Sequence, residues 1–415
     1  MGAPTTRSGT GICENPLAPE GRHVVAPAGN VRTSLIFRTA GVSLRLTLKS
    51  GRDAEDRSDD AELRPVVPRR CHLGCLSEGE RVDIRRARVG LMSVADLTRG
   101  GLLMDLPVDM PVIDCHVHAY PEEAGRRTQA AFGNSSPEYA GTPEDLLSLL
   151  GQISTSPENG AILKNLTPTA EMARAAWDRV AGRLTADDER HMYAEVKERM
   201  AGRIRRRNAW GNEVTKRHPT LVNFIGVDPN FLTPEENVEE LELRVRDGAK
   251  GICIHPTRNL HRPEDYRLWP LFERAQELDI PVLTHSGTEG YRPAYMGLNA
   301  EPYDFKALLD TFPRLRLIIG HLGNPYFDQL VDMAQRYPSL TFESSGPVSA
   351  REPYAYADEY LVRLLRQLGT DRVMFGSDFL FGEPVGPARR LLSLPLTDAE
   401  KEAILGRNAQ QFLGL

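Results

Sequence analysis

Two patterns of apolar and polar positions divide this chain of 415 residues. From residue 111 onward, short apolar runs ending in polar residues alternate with amphipathic stretches. The runs are PVIDCHVHA, GAILKNLTP, LVNFIGVDP, AKGICIHP, IPVLTHSG, RLIIGHLG, LTFESSG and RVMFGSDFL, which predict eight strands. Helix-start signals lie between them. TPEDLLSLL sets Pro143 behind Thr142, and TPEENVEEL spaces Thr233 and Glu236 as a capping box. LWPLFERAQELD puts Leu268, Leu271, Phe272 and Ala275 on one helical face, and the last helix opens on Thr397 and Glu400 in the same box spacing.

Strands alternating with helices of this length imply parallel β/α units. Eight such units in roughly 300 residues predict a closed (β/α)8 TIM barrel over residues 109–415 rather than an open doubly wound sheet. The second unit is oversized and predicts a helical insertion after strand 2, about three helices' worth of sequence. Its arginine cluster, Arg203 to Arg207, reads as a solvated face, with a lid or a subunit interface as the alternative.

Residues 1–108 show no sustained apolar period and are rich in Arg, Gly, Pro, Ser and Asp, which predicts a low-order extension. The runs in SLIFRTAGVSLRLTL could pair as strands there, with little to pack against. A translation start near Met92 or Met104 is an alternative reading of the whole region. CHLGC, Cys71 to Cys75, has no second cysteine pair to complete a metal site.

Composition narrows the function class. A formal net charge of −6 speaks against a nucleic-acid surface, and no apolar run approaches the length of a membrane span. The N-terminus lacks an apolar signal region, although Gly2 and Thr6 formally fit an acylation pattern. With five cysteines, two of them (Cys115 and Cys253) inside apolar runs, a reducing cytoplasm is expected.

The chemistry gathers at strand ends, which form the active mouth of such a barrel. Five of the ten histidines occupy them: His116 and His118, His255, His285 and His321. Strand 8 adds Asp378. In HVH the two imidazoles, two residues apart, face one side of a strand while Cys115 and Val117 face the other. So many polar groups at one mouth are costly to bury unless paired, and a divalent cation pairs them at once. Imidazole and carboxylate suit zinc, with manganese, iron or cobalt as alternatives. Such an ion activates a water near neutral pH.

VIDCHVHAY, VLTHSG, IIGHLG and FGSDF, in that order on strands 1, 5, 6 and 8, resemble the amidohydrolase superfamily. Within it, the chain is most similar to the group that includes aminocarboxymuconate-semialdehyde decarboxylase, and the closing ILGRNAQQFLGL fits the same group. The resemblance covers about residues 111 to 415. It implies one divalent metal ion held by His116, His118, His285 and Asp378, with His321 as acid/base and Asp378 as a proton shuttle. Binuclear members use a carbamylated lysine at the end of strand 4. Here that place falls in ICIHPTR, and Lys250 lies at the strand's other end. His255 is then a substrate contact or a histidine held by a neighbouring backbone carbonyl.

Arg258 and Arg292 follow strands 4 and 5 and could grip a substrate carboxylate, or lie on the surface without a ligand. Glu343 on strand 7 could hydrogen-bond a ligand histidine, unless the strand phase is off by one. The first expectation is a hydrolase turning activated water on a small amide, ester or lactone. The alternative is a non-oxidative decarboxylase of a small carboxylic acid, aromatic acids included, and a third is a barrel that only binds a ligand. A small-molecule substrate and a homodimer are the expected partners, without nucleic acid or membrane.

Overall fold

The computed structural model describes residues 32–39, 42–49, 106–131, 138–180, 185–288, 300–349 and 356–415. The expectations for Arg292, CHLGC and the acylation pattern lie outside them. The chain divides into two units, Met1–Arg88 and Val89–Leu415. In the first, Arg32–Thr39 and Val42–Lys49 pair antiparallel, Arg32 opposite Lys49 and Thr39 opposite Val42.

The second unit is a TIM barrel. Its strands are β1 (Ile113–Val117), β2 (Gly160–Lys164), β3 (Leu221–Gly226), β4 (Gly251–Ile254), β5 (Val282–Thr284), β6 (Leu317–Ile319), β7 (Thr341–Glu343) and β8 (Val373–Met374). They form one eight-stranded sheet, each pairing in parallel with its neighbour in sequence. β8 returns to β1 through a bridge between Val117 and Phe379 and a bond from Cys115 N to Phe375 O of 2.8 Å. Buried Asp114 strengthens that seam, accepting from Ser377 N at 3.0 Å and from the Ser377 hydroxyl.

Alternation along the strands sorts the core into two layers. Ile113, Cys115, Ile162, Phe224, Cys253, Leu283, Ile318 and Met374 fill the inside, with Phe412 and Leu413 of the last helix against them. Val117, Leu163, Ile225, Ile252, Val282, Leu317 and Phe342 face the surrounding helices. β1 departs from strict alternation, because Cys115 joins the inner cluster and Val117 the outer one. Pairing explains it: Asp114 lies opposite Ala161 but Val117 opposite Leu163, so β1 carries one extra residue. Such a bulge resets which side chains face inward.

Helix starts follow the reading from sequence. Thr142, Thr233 and Thr397 each close a capping box. The insertion holds two described helices, Thr169–Asp178 and the 32-residue Ala186–Arg217. Arg203 and Arg206 are exposed on it. Arg207 instead turns to the barrel, donates to Ala119 O, and lies against the rings of Tyr120 and Trp210 at 4.2 and 4.4 Å. That position is therefore not part of a solvated face. Among the described residues, no helix is long and apolar enough to cross a membrane.

Candidate metal centre

Each barrel strand stops its apolar run where the mouth begins. His116 is the next-to-last residue of β1 and His118 lies one residue past its end, while His255 and His285 directly follow β4 and β5. His321 sits two residues past β6, and Asp378 four past β8. His321 and Asp378 have φ of 57° and 61°, left-handed conformations that non-glycine residues hold only when their surroundings enforce them.

Asp378 Oδ1 lies 3.5 Å from both His116 Nε2 and His118 Nε2. Two ligands about 2.1 Å from one tetrahedral ion stand about 3.4 Å apart, so this spacing suits a shared cation. His285 stacks on His255 with ring centres 4.0 Å apart and meets His321 edge-on at 4.7 Å. Among the described residues, the ligand atoms that cluster within 4.8 Å of one another belong to two groups, His116, His118, Asp378 and His116, His321, Glu343. His285 is in neither, yet its Nε2 is buried without a hydrogen-bond partner, as is Nδ1 of His118. Orphaned buried nitrogens beside a carboxylate fit a metal site better than a finished core. Burial holds His116, His255 and His285 well below their ordinary pKa, which leaves neutral imidazoles with a lone pair to offer.

Glu343 does face inward. Its Oε2 lies 2.7 Å from His116 Nδ1, 3.2 Å from the backbone N of His321 and 2.9 Å from the Ser345 hydroxyl. Ser345 N donates to Oε1, and the Ser345 hydroxyl lies 2.8 Å from His321 Nδ1. Burial pushes the Glu343 carboxyl up to about 8 against the pull of these donors. A neighbouring cation acts in the donors' direction. The carboxylate seat needs Gly376, where a Cβ would fall 1.8 Å from Oε1. For Asp378, burial raises the carboxyl, but the His118 hydrogen bond and nearby histidines outweigh it and leave it below the ordinary range.

Sequence reasoning passed over Lys164, the last residue of β2. It is 1% exposed, and its Nζ lies 3.2 Å from His116 Nε2. The signal was legible: Lys164 shares the parity of inward-facing Ile162. Burial lowers its pKa. Asp114 and Ser345 were also passed over, both being short polar residues beside more conspicuous ones. Arg258 reaches the mouth and approaches Glu171 at 3.5 Å and the Phe381 ring at 6.0 Å. His255 Nδ1 accepts from the backbone N–H of Arg258 at 3.3 Å.

The amidohydrolase sequence profile matches residues 113–415, the whole barrel with its site. The chain belongs to the amidohydrolase family. It is an enzyme of that family by sequence and fold. Among solved structures, this amidohydrolase is similar to an uncharacterized TIM-barrel protein from Bordetella bronchiseptica, with 17% identity, 74% of this chain and 99% of that one covered, and a TM-score of 0.52. It is similar to 2,6-dihydroxybenzoate decarboxylase complexed with 2,6-dihydroxybenzoate, with 17% identity, coverage of 74% and 100%, and a TM-score of 0.52. A dihydroxybenzoic acid decarboxylase from Polaromonas sp., solved with manganese and 2-nitroresorcinol, matches at 18% identity, coverage of 74% and 97%, and a TM-score of 0.50. At such identities these likenesses bear on the fold alone. No curated protein matches the chain.

Proposed function

We propose that this amidohydrolase is a metal-dependent, non-oxidative decarboxylase of a small hydroxyaryl carboxylic acid. The carrying observation is the buried Lys164 side chain, 3.2 Å from His116 Nε2 and with no carboxylate within ion-pair distance among the described residues. A buried unpaired cation is costly, and an anionic substrate supplies the missing charge. The likeness to two dihydroxybenzoate decarboxylases supports the same class.

His116, His118, His285 and Asp378 would hold one divalent ion. Zinc suits these donors, and manganese, which the Polaromonas enzyme binds, suits them too. When bound, the ion acts as a Lewis acid on a substrate oxygen. His321 and Asp378 then handle the proton. One of them delivers it to the ring carbon bearing the carboxylate, forming a C–H bond. The C–C bond breaks next, its electron pair returns to the ring, and carbon dioxide leaves. The net reaction takes one proton from solvent. Lys164 helps this only where it meets an oxygen that gains electron density, such as a hydroxyl beside the carboxylate. Placed on the departing carboxylate it would hold back the ground state. Arg258 and His255 line the substrate's other side.

The hydrolytic reading uses the same histidines around an amide, ester or lactone. A neutral carbonyl compound leaves Lys164 without an anion, and for that reason the decarboxylase stands first. The test is to incubate manganese- or zinc-loaded enzyme with hydroxybenzoates in D2O. Carbon dioxide release with one deuterium at the vacated carbon is expected. Cleavage of amides, esters or lactones with solvent oxygen in the acid product, and no carbon dioxide from any acid, would overturn it.

A further inference from the structure

Donor and acceptor roles around Glu343 can be counted through from His116. His116 Nε2, 3.5 Å from Asp378 Oδ1, is the nitrogen offered to the proposed ion, so the His116 proton lies on Nδ1. That N–H points at Glu343 Oε2 across 2.7 Å. The same carboxylate meets two backbone groups that can only donate, His321 N at Oε2 and Ser345 N at Oε1. Both oxygens of Glu343 thus meet N–H donors, as those of an accepting carboxylate do. The Ser345 hydroxyl has one hydrogen and lies 2.9 Å from Oε2, so it donates there. Its lone pair is left facing His321 Nδ1 at 2.8 Å, and two acceptors cannot share that contact.

We infer that Glu343, acting through the Ser345 hydroxyl, fixes His321 in the tautomer with its proton on Nδ1 and leaves Nε2 bare. Ser345 is thus a positioning residue for the acid/base histidine, and one carboxylate sets the tautomers of both His116 and His321. Glu343 holds the His321 backbone N as well, at 3.2 Å, where the chain takes its left-handed turn. Ring and backbone of His321 are referred to one buried group. Every resting molecule therefore presents the same unprotonated nitrogen to the substrate, the one that takes up the solvent proton before passing it to carbon. A ring free to exchange tautomers would divide the population.

The inference takes His321 as the acid/base of the proposed reaction, but its test needs no turnover. Nitrogen-15 NMR of the zinc-loaded full chain, labelled at histidine and assigned with His321→Gln, reads the tautomer directly. Expected is a protonated Nδ1 and a bare Nε2 for His321. In Ser345→Ala this pattern should give way to a mixture while the His116 pattern persists, since His116 bonds to Glu343 without the serine. Ser345→Thr, which keeps the hydroxyl, should restore it. In turnover Ser345→Ala should lose roughly ten- to a hundredfold in kcat with little change in KM. A proton on Nε2 of His321 in the unaltered protein, or an unchanged pattern in Ser345→Ala, would overturn the inference. The deuterium experiment tests the decarboxylase reading separately.

Discussion

The lower and upper halves of the barrel interior are built by the same strands to opposite ends. Below, Cys115, Ile162, Cys253, Leu283, Ile318 and Met374 are all but fully buried and touch one another. One to four residues further along, the same strands supply His116, Lys164, His255, His285, His321 and Asp378. The lower layer is complete in itself, since apolar burial needs no partner beyond close packing. The upper layer is not complete. Among the described residues, it retains buried nitrogens without partners and a buried lysine without a carboxylate beside it. Stability and chemistry are therefore separable along each strand, and substitutions in the two layers should have opposite signatures.

The largest effect is expected from His118→Ala, which removes a proposed upper-layer ligand. Lewis-acid assistance is worth several kcal/mol, so activity should fall roughly a thousandfold, with far-UV circular dichroism unchanged. Phe224→Ala in the lower layer should do the reverse. A fully buried phenylalanine truncated in a packed core costs about 3–5 kcal/mol, read as a lower melting temperature, while metal stoichiometry holds. If both variants lost fold and metal together, the two layers would not be separable.

Lys164→Met sharpens the comparison, because it makes the upper layer resemble the lower one. A charge-assisted hydrogen bond is worth about 1.5–3 kcal/mol, so kcat/KM should drop roughly ten- to a hundredfold. Thermal stability should rise, since a buried unpaired charge has gone. A fall in both would mean that Lys164 is structural.

The smallest effect lies outside both layers. Bonds from Arg366 and the Thr397 backbone hold the Glu400 carboxyl down to about 2. The folded value lies below the unfolded one, about 4.3, so this contribution is fully present above pH 4.3 or so and is lost as the pH falls towards 2. Glu400→Gln should cost less than about 1 kcal/mol at neutral pH, since Arg366 is half exposed. The difference from the unaltered protein should vanish in acid denaturation profiles near pH 2.

Eight strands, the capped helices and the convergence of His116, His118 and Asp378 were legible because each leaves a periodic or positional mark. Apolar runs ending in His or Asp are such a mark. The facing of β1 was less legible. Alternation placed Cys115 and Val117 on one side, but the extra residue opposite β2 divides them, and a bulge is a property of pairing rather than of one strand. Glu343 was ambiguous by one residue of phase, which only the β7 register resolves. Lys164 carried the right parity but no motif. Arg207 was hidden inside a run of like charges, and only the path of the insertion helix distinguishes it. Ser345 gains meaning only through its two contacts.

The upper layer is proposed to form one metal site completed by His285. Calorimetric titration of the metal-free protein with Mn2+ tests it most directly, comparing the unaltered chain with His285→Ala. Expected is one ion per chain, bound at least tenfold more weakly by the variant. No binding to the unaltered chain, or equal affinity in His285→Ala, would contradict it.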